Sequence, residues 1–190
     1  FEIYDQLGRA PENVVLPVGN AGNISAAWKG YSELKEIGAI DRRPRMIGVQ
    51  ATGASPLADA VSRGSMEIVP VIKPETIASA IRIGRPASWR KALLAIRESG
   101  GTAVAVSDQE IIRAQSMLAS LEGIFVEPAS ASTIAGVRKL VDEGLIKTDE
   151  EVVCIATGHG LKDQEAVTAV AGPPTKVKPT QETIMEYLGL

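Results

Sequence analysis

The fold of this chain is indicated first by one stretch near its start, Leu16-Pro17-Val18-Gly19-Asn20-Ala21-Gly22-Asn23-Ile24. An apolar run leads into a turn of small residues, and the turn opens a stretch with a helical period. This arrangement places the main-chain N–H groups of the turn at the positive end of a helix dipole, where they can bind a phosphate. The sequence therefore predicts an anion site at this turn.

The turn supplies five candidate ligand-binding residues, which are Gly19, Asn20, Ala21, Gly22 and Asn23. Glycine lets the backbone approach a ligand closely, and the two asparagine side chains can donate further hydrogen bonds. The alternative is a plain strand-to-helix turn, which usually needs a single glycine. The spacing matches neither a Walker P-loop nor GxGxxG, so it does not favour a nucleotide.

Short β-branched runs alternate with helical stretches along the chain. The alternation predicts an α/β fold in which a parallel sheet is covered by helices on both faces. The predicted strands are 13–18, 45–51, 67–72, 102–106, 124–126 and 151–156. The predicted helices are 24–37, 56–63, 74–83, 88–99, 108–121, a helix to Glu143 capped by Ser130 or Ser132, and 182–188.

Two segments are expected, an α/β cofactor-binding domain over 1–171 and a proline-rich segment with a last helix over 172–190. The first eight residues have the pattern of the middle of a helix that ends at Gly8. We therefore expect the α/β domain to be truncated at its N-terminus.

The composition and charge of the chain argue against a nucleic-acid-binding protein and against a membrane-spanning one. Hydrophobic residues make up 45% of the 190 residues and the net charge is −3, as in an ordinary globular domain. The densest basic stretch, Arg42-Arg43-Pro44-Arg45, is interpreted as a solvated loop and is too narrow for a nucleic-acid interface. No run approaches the ~20 apolar residues of a membrane span. The single cysteine, Cys154, is interpreted as a buried small hydrophobe and favours a reducing, cytoplasmic location.

Thr157 ends an apolar strand, and ligands of such sheets bind beyond the carboxyl ends of strands. This position suits a site role, and an ordinary strand-end cap is the alternative. His159, the only histidine, is interpreted as a support of its glycine-flanked loop. Lys162 and Asp163 are interpreted as a surface pair. The stretch 127–132 resembles a recurrent element of a known enzyme superfamily, and this resemblance implies that Glu127 forms part of the pocket wall.

Three stretches of the chain resemble a known family. The turn resembles the phosphate loops of the tryptophan-synthase-like (fold-type II) pyridoxal-phosphate enzymes, and the longer stretch 17–31 is similar to threonine synthases. The stretches 75–89 and 156–163 show the same similarity. The resemblance implies that the domain is the larger part of a fold-type II cofactor domain, and that this chain is the C-terminal portion of the enzyme.

The resemblance also implies a cofactor and a reaction. Pyridoxal 5'-phosphate is expected on residues 19–23, with Thr157 bonded to its ring nitrogen, and a neutral hydroxyl partner implies a largely unprotonated nitrogen. The full-length protein is expected to be a homodimer that converts O-phospho-L-homoserine and water to L-threonine and phosphate. No lysine here has the neighbours of the lysine that holds the cofactor as a Schiff base. We therefore assign no catalytic residue and no metal ligand, and we expect the chain alone to be inactive.

Two other functions stay open. One is a threonine dehydratase-like enzyme of the same fold, against which the strings Trp28-Lys29-Gly30-Tyr31 and Pro86-Ala87-Ser88-Trp89 argue. The other is a non-enzymatic anion-binding domain, which a translation start immediately before Phe1 would favour.

Overall fold

The computed structural model describes residues 1–163, 168, 172 and 175–190. Within these residues four parallel strands form one sheet in the order β3-β2-β1-β4. The strands are β1 (Asn13–Pro17), β2 (Arg45–Ala51), β3 (Thr102–Val106) and β4 (Val152–Cys154). The helices are α1 (Glu2–Leu7), α2 (Gly22–Glu36), α3 (Pro56–Ser62), α4 (Trp89–Glu98), α5 (Asp108–Met117), α6 (Pro128–Asp142) and α7 (Gln181–Leu188).

Strand β1 lies inside the sheet and pairs with a neighbour on each side. Its Val15 lies opposite Ile47 of β2 and opposite Cys154 of β4. The chain moves outward from β1 through β2 to β3, and then returns to place β4 on the other side of β1. This reversal makes a topological switch point, where a crevice opens beyond the carboxyl ends of β1 and β4.

Helices cover both faces of the sheet, which confirms the predicted fold class. Side chains alternate along a strand, so Val14 and Leu16 lie on one face of β1 and Val15 lies on the other. Helices α2, α3 and α4 pack against the first face, and α5 and α6 pack against the second. The core is built from small and branched aliphatic side chains, since aromatic residues make up only 4% of the chain.

The segment 63–88, which we call the connecting segment, departs from the prediction. The predicted elements that are wrong are the strand 67–72 and the helix 74–83. Only a single 3-10 turn, Ser79–Ile81, is regular there. Pro70 lacks a backbone donor, so a strand ladder cannot continue through 67–72. Pro74 is compatible with the start of a helix, but the N–H of Glu75 donates to the carbonyl of Gly53 at 3.1 Å, so the residues after Pro74 are bound to another part of the chain.

Contacts with the rest of the fold hold the connecting segment in place. The N–H of Val71 donates to the carbonyl of Gly84 at 2.9 Å within the segment. The carboxylate of Asp108, the first residue of α5, accepts from the hydroxyl of Thr76 at 2.5 Å and from the N–H of Ile77 at 3.2 Å. The segment is therefore ordered by specific hydrogen bonds although it has little secondary structure.

Two further predicted elements need correction. The predicted strand 124–126 is wrong, because only Val126 makes an isolated antiparallel bridge, with His159. The predicted helix 108–121 is shorter, since α5 ends at Met117 and a π-helical turn, Leu118–Glu122, follows it.

Several predicted helix ends are confirmed. Gly8 ends α1 with a left-handed conformation at φ 67°. Ser107 and Glu110 form the predicted capping box at the start of α5, and the carboxyl pKa of Glu110 is lowered by its hydrogen bonds to Ser107. The hydroxyl of Thr180 caps α7.

The predicted division into 1–171 and 172–190 falls beside residues that lie outside the described ranges, as does most of Gly172-Pro173-Pro174, so it stays a prediction. Of the helices that are described, none combines the length and the apolar character needed to cross a membrane.

Replacement of either of two helical glycines by alanine should change the free energy of unfolding, but in opposite directions. A Cβ on Gly136 of α6 would lie 2.5 Å from Cγ2 of Val49 in β2, whereas a Cβ on Gly30 of α2 would lie no closer than 3.8 Å to the ring of Phe1. We expect Gly136→Ala to lower the free energy of unfolding by about 1–3 kcal/mol because it overpacks the helix against the sheet. Gly30→Ala should raise it by up to about 1 kcal/mol through helix propensity. Urea unfolding followed by circular dichroism measures both, and equal effects would contradict the packing of α6 on β2.

Candidate functional site

A cavity of about 300 Å³ lies at the switch point, where β1 and β4 end. It is lined by all six residues that the sequence predicts for the site, which are Gly19, Asn20, Ala21, Gly22, Asn23 and Thr157. The connecting segment contributes Ala80, Ile81 and Ile83 to the wall, and Glu127, Lys162 and Thr157 form a polar side beside Ala129. The fold therefore brings the glycine turn and Thr157 to one cavity, although they are far apart in the sequence.

The turn presents unpaired backbone donors. The N–H groups of residues 19–24 donate to no group in the part of the chain that is described. Since α2 begins at Gly22, part of this set is the group of N–H donors that every helix leaves free at its first turn. Donors of this kind, together with the helix dipole, form a site for an anion such as a phosphate.

Ala21 holds the turn in an unusual conformation. Its φ is 64° and its ψ is 15°, in the left-handed region, and it occupies the N-cap position of α2. Among the described residues it is the only one other than glycine with a positive φ. This conformation costs an alanine roughly 1–2 kcal/mol, and strain of this kind is typical of ligand sites.

The two glycines of the turn serve different purposes. A Cβ on Gly19 would lie 2.7 Å from the carbonyl oxygen of Ala80. The absence of a side chain at Gly19 therefore lets the connecting segment pack closely against the turn. A Cβ on Gly22 would meet no atom within 4 Å, so Gly22 leaves space open beside the cavity. Neither glycine has a positive φ, so the space for a side chain, and not backbone freedom, explains both residues.

Asn20 ties the turn to the start of α4. Its side-chain Oδ1 accepts from the N–H of Ala87 at 3.3 Å, and its carbonyl accepts from the N–H of Ser88 at 2.9 Å. The side-chain amide nitrogen is left as the group that can donate to a ligand. Ligand contacts of Asn20 and Asn23 stay predictions.

Thr157 is held by two side chains from the start of α6. Its hydroxyl donates to Oε1 of Glu127 at 3.0 Å and lies 3.1 Å from Oγ of Ser130. Oγ of Ser130 also accepts from the N–H of Thr157 at 2.8 Å and from the N–H of Gly158 at 3.1 Å. The turn that follows β4 is therefore fastened to α6.

The expected cap at Ser130 or Ser132 is wrong. Helix α6 begins at Pro128, and Glu127 occupies its N-cap position. Proline is favoured at the first position of a helix, which moves the start ahead of both serines. The role of Ser130 was missed because its partners follow 27 and 28 positions later, so no local pattern reveals them.

Glu127 is a buried carboxylate on the cavity wall. It is only 2% exposed, and its Oε2 lies 3.1 Å from Nζ of Lys162. The two groups are close but not aligned as a hydrogen bond, so the contact is an ion pair. A Cβ on Gly158 would lie 2.5 Å from the carboxylate, which explains the glycine at that position.

The expected surface pair of Lys162 and Asp163 is therefore wrong. Lys162 turns to Glu127, and the carboxylate of Asp163 accepts from the hydroxyl of Ser79 at 2.8 and 2.9 Å. These contacts fasten the 3-10 turn Gly160–Asp163 to both sides of the cavity.

His159 and Cys154 take no place in the cavity wall. Nδ1 of His159 accepts from the N–H of Leu161 at 3.2 Å, and its ring meets Phe125 edge-on at 5.9 Å, as expected for a loop support. Burial raises the pKa of Cys154 to about 11, so its thiol stays protonated near neutral pH and is a poor nucleophile.

Known proteins share this arrangement. Residues 1–158 match the protein family described as pyridoxal-phosphate dependent enzyme. The chain belongs to this family of pyridoxal-phosphate dependent enzymes. Its members use pyridoxal phosphate, and the cofactor prediction is confirmed at this level.

Similar curated proteins are threonine synthases from archaea and bacteria. The protein of Methanocaldococcus jannaschii is 55% identical over 179 residues, which is 94% of this chain and 44% of the relative. That of Methanosarcina acetivorans is 55% identical over 99% of this chain and 47% of the relative. That of Mycobacterium tuberculosis is 49% identical over all of this chain and 51% of the relative. The chain thus spans about half the length of the curated relatives it matches.

Solved structures show the same fold at lower identity. A threonine deaminase isoform from Solanum lycopersicum superposes with a TM-score of 0.67 and 24% identity, over 90% of this chain and 47% of the other. The Escherichia coli threonine synthase superposes with a TM-score of 0.65 and 22% identity, over 92% and 38%. At these identities the likeness establishes the fold alone.

The cavity fits a phosphorylated cofactor. The five unpaired N–H groups of the turn can receive the phosphate, and Gly22 keeps the space beside them free. The apolar side chains of Ala80, Ile81 and Ile83 suit the face of an aromatic ring, and Thr157 and Glu127 supply polar groups on another wall. This combination of an anion site, an apolar wall and a few polar groups is typical of cofactor pockets.

Ser130 should matter more for stability than its neighbour Ser132. Both are buried in α6, but among the described residues the hydroxyl of Ser132 bonds only to the carbonyl of Ala129 in its own helix, at 2.6 Å. Ser130→Ala leaves the N–H groups of Thr157 and Gly158 without a partner, so the free energy of unfolding should fall by about 1–3 kcal/mol per unsatisfied group. Ser132→Ala should cost clearly less. Urea unfolding measures both, and an equal or larger loss in Ser132→Ala would contradict the role given to Ser130.

Proposed function

We propose that this chain belongs to a threonine synthase, which converts O-phospho-L-homoserine and water to L-threonine and phosphate. The observation that carries the proposal is the set of five unpaired N–H groups, those of residues 19–23, that border a cavity at the switch point of a pyridoxal-phosphate enzyme fold. The similarity to threonine synthases, at 49–55% over 94% or more of this chain, supports the choice of reaction.

The residues of the cavity have different roles in the proposed site. The turn of residues 19–23 binds the cofactor phosphate through its N–H groups, and Thr157 meets the ring nitrogen. The connecting segment covers the cavity with Ala80, Ile81 and Ile83 and limits the access of water. When bound, pyridoxal phosphate acts as an electron sink for the negative charge that develops on an amino-acid substrate when it loses a proton.

The lysine that attaches the cofactor is proposed to lie outside this chain. Among the described residues that line the cavity, only Lys162 is a lysine, and it is paired with the carboxylate of Glu127. The homodimer and the cytoplasmic location stay predictions for the full-length protein. The two-part division at residue 171 is retained as part of the proposal.

The two alternatives are less well supported. The likeness to threonine deaminases appears at 20–24% identity in solved structures, which establishes only a common fold. Membership of an enzyme family that matches 1–158 argues against an anion-binding domain without activity.

Product analysis of the full-length protein that contains this chain tests the function. With pyridoxal phosphate and O-phospho-L-homoserine we expect equal amounts of threonine and inorganic phosphate. Treatment with borohydride should then fix the cofactor on a lysine outside residues 1–190, as peptide mapping can show. Conversion of threonine to a 2-oxo acid and ammonia would support the dehydratase alternative, and cofactor fixed on Lys162 would contradict the assignment of the lysine.

Gly22→Val should separate phosphate binding from folding. The valine side chain would occupy the open space beside the phosphate donors, while the backbone at this position needs no positive φ. We expect at least about a tenfold loss of affinity for pyridoxal phosphate, equivalent to about 1.4 kcal/mol, and a preserved fold. Fluorescence titration of the full-length protein measures the affinity, and Gly30→Val, in the same helix but outside the cavity, is the control. Unchanged affinity in Gly22→Val would place the phosphate elsewhere.

A further inference from the structure

Gln50 is a polar side chain in the interior of the sheet to which the proposed function gives no role. It lies near the carboxyl end of β2 and is fully buried. On the same face of β2, the space next to Gly48 is filled by the side chains of Val18, Ile24 and Leu57. An amide in such aliphatic surroundings costs free energy unless its oxygen and nitrogen are hydrogen-bonded, so the partners of Gln50 indicate what it does.

The amide of Gln50 joins the start of α3 to the residue that precedes the glycine turn. Its Oε1 accepts from the N–H of Leu57 at 2.8 Å and from the N–H of Ala58 at 3.0 Å. Its Nε2 donates to the carbonyl of Val18 at 3.3 Å. All three partners are backbone groups, and each of them can only donate or only accept. They therefore fix which atom of the amide is the oxygen and which is the nitrogen.

The bond to Val18 also determines the direction of the first N–H group of the turn. The peptide bond between Val18 and Gly19 is planar and trans, since the described residues contain no cis peptide bond. In a trans peptide the carbonyl and the following N–H point in opposite directions. The carbonyl of Val18 points to Gln50, which is outside the set of described residues that line the cavity, whereas Gly19 lines it. The N–H of Gly19, unpaired within the described residues, is therefore turned toward the cavity.

We propose that Gln50 is a positioning residue for the cofactor phosphate: it holds the carbonyl of Val18 so that the N–H of Gly19 is directed at the phosphate. Gln50 acts through the backbone of the turn and does not contact the phosphate. Because the same amide bonds the first turn of α3, the direction of this donor is set by β1, β2 and α3 together before the cofactor binds. A donor that is already oriented loses little entropy on binding, and its bond to a charged phosphate is a strong one. This inference rests on the proposed function, which makes the turn the phosphate site.

The alternative is that Gln50 only stabilises the fold, since it bonds the first turn of α3 and joins β1 to β2. Pyridoxal phosphate and pyridoxal distinguish the two roles, because these ligands differ only in the phosphate. A general loss of stability affects the binding of both ligands alike. A misdirected N–H at Gly19 weakens the binding of the phosphorylated ligand alone. The ratio of the two affinities therefore reports on the phosphate site and not on the fold.

Gln50→Met in the full-length protein tests the inference. Methionine is similar to glutamine in length and lacks the amide, so it removes the bond to Val18 with little change in volume. We expect the affinity for pyridoxal phosphate relative to pyridoxal to fall about tenfold or more, as measured by fluorescence titration with each ligand. The control is Gly136→Ala, which lowers stability through contacts with Val49 and Val104, residues outside the described cavity lining. It should leave the ratio unchanged.

A ratio equal to that of the wild type in folded Gln50→Met, or an equal fall in Gly136→Ala, overturns the inference. If Gln50→Met does not fold, NMR of the wild-type protein decides. Labelling of valine at the carbonyl carbon and of glycine at the nitrogen selects the N–H groups of Val-Gly pairs, of which this chain has one, Val18-Gly19. The proton signal of this N–H should move downfield with pyridoxal phosphate and not with pyridoxal. A signal that stays in place with both ligands overturns the inference.

Failure of the inference and failure of the proposed function give different results. If only the inference fails, the wild-type protein still prefers pyridoxal phosphate to pyridoxal and still forms threonine and phosphate. A wild-type protein that binds pyridoxal phosphate no more tightly than pyridoxal contradicts the phosphate site, and with it both the proposed function and the role of Gln50.

Discussion

The parallel pairing of β1 with β4 is the interaction on which the site depends. The N–H of Ile155 donates to the carbonyl of Val15 at 2.9 Å. Both residues lie a few positions before the residues that line the cavity. Strand β1 leads into the glycine turn and β4 leads into Thr157. Because parallel neighbours end on the same side of the sheet, this one ladder sets how far the unpaired N–H groups of the turn lie from the polar wall.

A polar network at the amino ends of the strands keeps β1 and β4 in register. Asn13 is fully buried at the start of β1, and its amide donates to Glu150 at 3.1 Å and accepts from Nε of Arg45 at 2.8 Å. Arg45 forms an ion pair with Glu150. The network joins the amino ends of β1 and β2 to the residues that precede β4. A buried amide that satisfies both neighbours allows one alignment of the strands, because any slip would leave it unpaired.

The basic stretch before β2 shows how tertiary contacts change the meaning of a local pattern. The interpretation of Arg42-Arg43-Pro44-Arg45 as a solvated loop is too simple. Arg42 pairs with Glu12 and lowers the carboxyl pKa of that residue, and Arg43 lies over the ring of Trp28 at 4.2 Å. Since the partners of this stretch lie before and in β1, in α2 and before β4, the local pattern of the stretch by itself could not reveal them.

The sequence by itself determined the turn and the fold class of this protein. The turn of residues 19–23 is contiguous, and the alternation of strand and helix depends on local periodicity, so both can be read along the chain. Only the tertiary structure decided the path of the connecting segment, whose apolar residues suggested a strand that Pro70 interrupts. It also decided the cluster of Glu127, Ser130, Thr157 and Lys162. These residues meet because β4 returns to the side of β1, and such long-range contacts leave no periodic signal in the sequence.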